Sequence, residues 1–279
     1  MAEVTPLPTI WELPDDLWGR IEALLKDFDP PKPTGRKREH PRALLNGIIY
    51  RFRTGCQWNH IPKEFGDDST IHRTFQRWVE CQLFELLWIW LAEECDELAL
   101  VDWEWQAADG WLGKARSGGD EIGPNPTDRA KNGTKKSLLT DAQGGPLSII
   151  VAPANVNDHL LLEATIEAIV LERPKPTPAE PQNLCLDKAY DNAPSHKVVK
   201  KHGYQNHTRR IGEEKLDQEG KKKYPARRYV VERTIAWLSK CRGLLVRYER
   251  KSENYLAQLQ FACALLWYRR LPDPANAFL

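Results

Sequence analysis

Three acidic residues stand where carboxylates could do chemistry. Asp102 follows the short apolar run Leu98-Ala99-Leu100-Val101, and Asp187 follows Leu184-Cys185-Leu186. Each run reads as a strand, and the carboxyl ends of strands are where open α/β sheets place their sites. If the two strands are neighbours, the carboxylates lie side by side and repel unless a cation sits between them. Hard oxygen donors without His or Cys favour Mg2+ or Mn2+ over zinc. Taken singly, each Asp reads first as a cap of the element that follows it. Glu232 borders the apolar helical stripe Val231, Ile235 and Leu238, with Arg228 one turn before it. A plain i,i+4 ion pair is the alternative for those two. Other acids have structural readings: Asp141 in a turn, Asp158 opening a helix, Asp191 capping one.

Other chemistries lack their parts. There is no G-x-x-x-x-G-K-[ST] loop, G-x-G-x-x-G turn or G-x-S-x-G elbow. His202 and His207 are close in sequence but not at helical ligand spacing. The six cysteines contain no C-x-x-C pair and read as reduced, mostly buried thiols of a cytoplasmic protein.

The elements that must position the acids change character along the chain. Pro41 to Tyr50 places apolar residues at helical spacing, and Gly55 closes that helix. A short segment near Ile61 to Phe65 follows. Asp68-Ser69-Thr70 then offers N-caps for a helix carrying Ile71, Phe75, Trp78 and Val79. With the basic arm in front, this resembles a helix-turn-helix, although an ordinary helical bundle has the same pattern. Gly113 to Thr134 reads as a glycine-rich loop. Residues 137–140 and 147–151 flank Asp141-Ala142-Gln143-Gly144-Gly145 as a β-hairpin. Helices are expected over 157–171, 193–201, 227–241 and 253–270, with a strand at 184–186. A small α/β domain behind a helical one is the expected class.

Net charge conceals the pattern. The chain has 279 residues, 40 Lys plus Arg and 39 Asp plus Glu, for a net +1. Residues 32–53 carry +6 and residues 201–251 carry +9, so the remainder carries −14. Two basic patches against an acidic body suit a polyanion better than the total suggests. No apolar run approaches the roughly 20 residues of a membrane helix, and the first residues do not resemble a secretory signal. The 11 tryptophans suggest a core or interface rich in amphipathic anchors.

At this point the sequence resembles a known family. Asp102, then Leu186-Asp187-Lys188-Ala189-Tyr190-Asp191, then Val230-Val231-Glu232-Arg233-Thr234 resemble the DDE transposases of bacterial insertion sequences, closest to the insertion-sequence-five-like group. The string from Leu45 to Trp58 is similar to that group's helical domain. Ile61 to Gly66, Thr140 to Gly144 and Arg247-Tyr248-Glu249 agree as well. The likeness runs from about Trp11 to Leu271. It departs at Trp103, where the family often has Ser or Thr after the first Asp. It also departs at Pro225 and Ser239, where related families carry Tyr and Lys; Tyr224 and Lys240 are each one residue off.

The resemblance implies an RNase H-like catalytic domain over 97–279, preceded by an all-α, helix-turn-helix-like DNA-binding domain over 1–96. It implies that Asp102, Asp187 and Glu232 hold two Mg2+ ions, for which Mn2+ can substitute. Ions about 4 Å apart activate the attacking oxygen and stabilise the leaving one. The activity implied is binding of terminal inverted repeats, metal-dependent cleavage, and strand transfer of the freed 3′-hydroxyl to target DNA. A domesticated DNA-binding regulator, or a nuclease that does not join strands, are the alternatives. Implied partners are double-stranded DNA and a second copy of the chain, with no membrane. Arg228 is expected on a phosphate. The basic arm (Arg36, Lys37, Arg38), Arg73 and Arg77 of the capped helix, and Lys221, Lys222, Lys223, Arg227, Arg233 and Arg242 are the further DNA-binding candidates.

Overall fold

The structure, a computed structural model, describes residues 12–35, 37–208 and 227–272. Four helices come first: α1 (Asp15–Phe28), α2 (Pro41–Thr54), α3 (Asp68–Glu80) and α4 (Leu83–Glu97). Pro41 opens α2, where a missing N–H costs nothing, and Gly55 closes it. The cap of α3 is Asp67, one residue before the expected positions, accepting the Thr70 N–H at 3.1 Å. α2 packs against α3, joined through two 3-10 turns at Trp58–His60 and Lys63–Phe65.

A mixed sheet follows: β1 (Trp105–Ala115), β2 (Gly123–Pro124), β3 (Asn132–Asp141), β4 (Pro146–Pro153), β5 (Asn183–Cys185), β6 (Gln205–Asn206) and β7 (Val246–Arg247). The main order is β4-β3-β1-β5-β6, with β2 on β3 and β7 on β1. β1, β3 and β4 form an antiparallel meander, while β5 runs parallel to β1 and β6 parallel to β5. The crossovers carry α5 (Asp158–Glu167) and α6 (Ala193–Lys201); α7 (Tyr229–Leu238), α8 (Arg242–Leu245) and α9 (Ser252–Tyr268) complete the chain. This is the RNase H-like arrangement that was expected, behind a helical region.

Two expectations are corrected. Residues 98–101 are not a strand: α4 runs to Glu97, a turn follows, and the strand begins at Trp105. The stretch read as loop from Gly113 contains the end of β1, all of β2 and the start of β3. The alternation that marks a half-buried strand is missing there, because β3 is buried on both faces over nearly its whole length.

One apolar core runs through both regions. α9 is buried over almost its whole surface, and its main partner is α4, the most apolar segment of the sequence. Trp88 of α4 and Trp267 of α9 donate their indole N–H groups to the same acceptor, the Pro146 carbonyl, at 3.2 and 2.8 Å. Both indoles are buried.

Candidate active site

β1 is central, and its register decides which acids can meet. Its ladder with β5 pairs Trp105 with Asn183, Gln106 with Leu184 and Ala107 with Cys185. Two residues further along each parallel chain stand Asp109 and Asp187. Because side chains alternate, this step of two keeps both on the face of the last pair. α7 packs over β1 and β3 on the buried residues Val230, Val231, Thr234 and Leu238. Its first turn then sets Arg228 and Glu232 beside the strand ends.

Arg228 links the acids. Its Nη1 lies 2.8 Å from Asp187 Oδ1, and Nη2 donates to Glu232 Oε1. All three side chains are part-exposed. Burial works against the guanidinium's charge, and Asp187, Glu232 and Asp109 more than reverse this, so its pKa is raised. Asp109 is the most enclosed acid of the group. Burial pushes its carboxyl pKa up; the Gly110 N–H, donating at 2.8 Å, and Arg228 oppose this, and Asp187 and Glu232 add to it. Asp187 also caps the following 3-10 turn by accepting the Lys188 N–H at 2.7 Å. The structural reading of that Asp as a cap therefore holds. The three carboxylates are not drawn together to shared-ligand distance. Among the described residues that closeness is met by Glu163, Glu167 and His202.

Asp102 is elsewhere. It precedes β1 by three residues, at the amino end of the strand, whereas Asp109 lies beyond the β5 ladder. Its backbone N–H donates to Asp141 Oδ2 at 3.3 Å, and its carboxylate accepts the Glu104 N–H at 3.0 Å. Its surroundings are those of a turn. The carboxylate that joins Asp187 and Glu232 is Asp109, which sequence reasoning passed over. One signal for this is in the sequence: Trp103, the residue after Asp102, breaks the family pattern. Asp158, read as a helix opener, also borders the group. A Cβ at Gly110 would meet its Oδ1, so glycine leaves room for the Asp158 carboxylate in its present position. Lys135 pairs with the same oxygen at 3.0 Å.

The hairpin after β3 braces α7. Thr234 Oγ1 donates to the Gly144 carbonyl at 2.8 Å, and Arg233 Nη2 to the Gln143 carbonyl at 2.6 Å. Asp141, fully buried, accepts the Gly145 and Gln143 N–H groups and pairs with Arg270 at 2.9 Å. Its place in the turn is as expected.

The basic candidates divide into groups. Arg227, Arg228 and Arg233 gather at the start of α7, with the Arg227 guanidinium 4.2 Å from the Trp105 ring centroid. Arg242 is exposed at the head of α8 and Lys37 is exposed beside the helical region. Arg73 is exposed on α3, its nearest partner Thr70 Oγ1 at 3.5 Å. Arg38 and Arg77 are not independent: Asp29 accepts from both, at 2.5 and 2.8 Å, and from Trp78 Nε1 at 2.9 Å. Arg36, Lys221, Lys222 and Lys223 lie outside the described residues.

Comparison with known proteins gives two family matches. Residues 13–88 match the family described as "Putative transposase of IS4/5 family", and residues 100–267 match "Transposase DDE domain". Among curated relatives, the chain is 37% identical over 159 residues to "Putative transposase for insertion sequence element IS402" of Burkholderia cepacia, which spans 56% of this chain and 72% of that protein. It is 31% identical over 121 residues to "Insertion element IS402 uncharacterized 16.2 kDa protein" of the same organism, spanning 40% and 79%. Among solved structures, the Mos1 mariner paired end complex with Mn aligns over 92% of this chain and 88% of that one. That alignment has 8% identity and a TM-score of 0.28, too low to carry an argument.

Proposed function

Because the chain belongs to the DDE transposases of insertion sequences, we propose that Asp109, Asp187 and Glu232 are the acids that cut and join DNA. The observation that carries this reading is the single guanidinium, Arg228, drawn to Asp187 and Glu232 beside the enclosed Asp109. The family acts on DNA with divalent metal, and this donor set fits a hard dication. It is all carboxylate, with no thiol or imidazole, and burial, with Asp187 and Glu232 adding to it, raises the Asp109 pKa, a penalty on its charge that a cation would relieve. We assign two Mg2+ ions to the three acids, with Mn2+ an acceptable substitute. A bound dication would lower the charge on the attacked phosphate and on both the entering and the leaving oxygen.

The chain's own groups supply the rest. Arg228 can turn from Asp187 to a phosphate oxygen, since both are anionic acceptors of the same fork. Arg227 and Arg233, stacked on Trp105 and between Tyr229 and Trp237, hold their charge beside α7 without an acidic partner in those stacks. Two displacements suffice. Water attacks the phosphate at the element's end and frees a 3′-hydroxyl. That hydroxyl then attacks a target phosphate, losing its proton as the target's P–O bond breaks. Each displacement makes one P–O bond for one broken, so no energy source is consumed. The helical unit, residues 1–96, would grip the terminal inverted repeats through α3, and residues 97–279 would carry the chemistry. Two ends require two active sites, hence a homodimer on DNA, working with the chromosome in the bacterial cytoplasm.

The test incubates the full chain with a labelled inverted-repeat end, target DNA and Mg2+. Asp109→Asn, Asp187→Asn and Glu232→Gln are each expected to lose more than about 10²-fold in cleavage and joining, since each removes several kcal/mol of charge stabilisation. End binding should survive all three. Asp102→Asn should stay within a few-fold of the unaltered protein. Loss of activity in Asp102→Asn with retention in Asp109→Asn would overturn the assignment. Cleavage without joining would favour a nuclease, and binding without chemistry a regulator.

A further inference from the structure

A second site lies away from the acids. A groove of about 800 Å3 opens where the end of α2 and the start of α3 face the chain between β7 and α9. Its helical wall is aromatic: Trp58 stacks on His72 with centroids 4.5 Å apart and planes 22° from parallel. Burial, and then the Arg51 charge, hold the His72 pKa below its ordinary value, and the Arg51 guanidinium lies 4.5 Å from the Trp58 ring centroid. The opposite wall presents Tyr248, half exposed despite its size. That exposure is built in by its neighbours. Arg247, fully buried, donates to the carbonyls of Asp120, Glu249 and Arg250 at 2.7, 2.8 and 3.1 Å, which fixes the loop with Tyr248 outward and Glu249 inward.

The polar groups narrow the ligand further. Among the described residues Glu249 is the one acid lining the groove, and it pairs with Arg51. Its Oε2 is buried and has no hydrogen-bond partner among the described residues. Arg250 and Lys251 are exposed at the rim. Lys251 pairs with exposed Glu253 at 3.2 Å, a contact weak enough for a phosphate to displace. Aromatic walls and cations at the mouth are the needs of a nucleobase on its phosphate. A duplex, roughly 20 Å across, cannot enter; one or two splayed nucleotides can.

We propose that this groove captures an unpaired nucleotide of a DNA strand, stacked on Tyr248 and held by its phosphate at Arg250. Ser117, which also lines it, is eight residues beyond Asp109 along β1 and its extension. At about 3.3 Å per residue that is more than roughly 20 Å from the acids, or about six nucleotide steps of 3.4 Å. The groove is thus separate from the site of bond breaking, and its occupant does not depend on which acids hold metal.

Binding without metal tests it, so failure of the catalytic assignment leaves the result readable. Duplexes with a blunt end, a 3′ tail or a 5′ tail are titrated against the full chain, with 2-aminopurine in the tail. One tail polarity is expected to bind about tenfold tighter than the blunt duplex, with 2-aminopurine fluorescence quenched by stacking. The same gain is expected on an unrelated duplex, because stacking reads little sequence. Tyr248→Ala should remove the gain and the quench while leaving blunt-duplex affinity unchanged; Tyr248→Phe should keep both. Equal affinity for blunt and tailed duplexes overturns the proposal, as does an undiminished gain in Tyr248→Ala.

Discussion

Lys136 shows how a single side chain can set the pH response of this protein. It sits on β3, fully buried, with Nζ 4.7 Å from the Trp111 ring centroid and 5.9 Å from that of Tyr255. Burial pulls its pKa down to about 7 from an ordinary 10.5. The unfolded chain therefore binds the proton more tightly, and stability rises as pH climbs from about 7 towards 10.5. Lys136→Met removes the penalty. Denaturant titrations should find the variant more stable by about 2–4 kcal/mol at pH 6, with a difference that shrinks by pH 10. A constant difference across that range would mean that packing, and not charge, sets the effect. Residue identity alone is a poor guide to such roles. Asp187 and Glu232 were legible because each stands in a recognisable local string, with an apolar strand before one and an apolar helical stripe beside the other. Asp109 was not, because Ala107-Ala108-Asp109-Gly110 carries no strand signature: two alanines and a glycine where β-branched residues would advertise the element. Those small residues reflect close packing from α5 and α7, which only the fold reveals.

Among the elements, α7 matters most, because it holds two of the charged groups and depends on a turn ninety residues away in sequence. Gly144 has φ +89°, and a Cβ there would lie 2.6 Å from Thr234 Oγ1. Gly144→Ala is expected to cost about 1–3 kcal/mol through backbone strain and lost docking, a fall of a few degrees in Tm by calorimetry. It should also lower DNA cleavage, because α7 carries Glu232. A normal Tm with normal cleavage would show that the hairpin does not position the helix. The hairpin was readable from Asp141 to Gly145, and so were α2, α6 and α9, since turn chemistry and helical spacing are local. The bounds of β1 were not. β1 is covered in part by α5, α7 and α8, and its run of buried and then half-buried residues shows no alternation to read.

At the scale of the whole molecule, the helical region and the sheet region share a core that neither completes alone. Without residues 1–96, α9 would expose Phe261, Leu265 and neighbours that α4 now covers. The full chain is expected to unfold in one transition by calorimetry and by tryptophan fluorescence. Residues 97–279 expressed alone should bind a hydrophobic dye and melt without a cooperative step. Two separate transitions in the full chain would contradict this. The tryptophan excess is partly explained here, by Trp88 and Trp267 on one carbonyl at the seam. That shared carbonyl has a mechanical consequence. If α3 grips the inverted repeat while the acids cut, the chain between them is a ruler of fixed length. The cut is then measured from the grip and not read from the bases beside it, and half a helical turn of extra DNA would put the wrong face of the duplex in front of the acids.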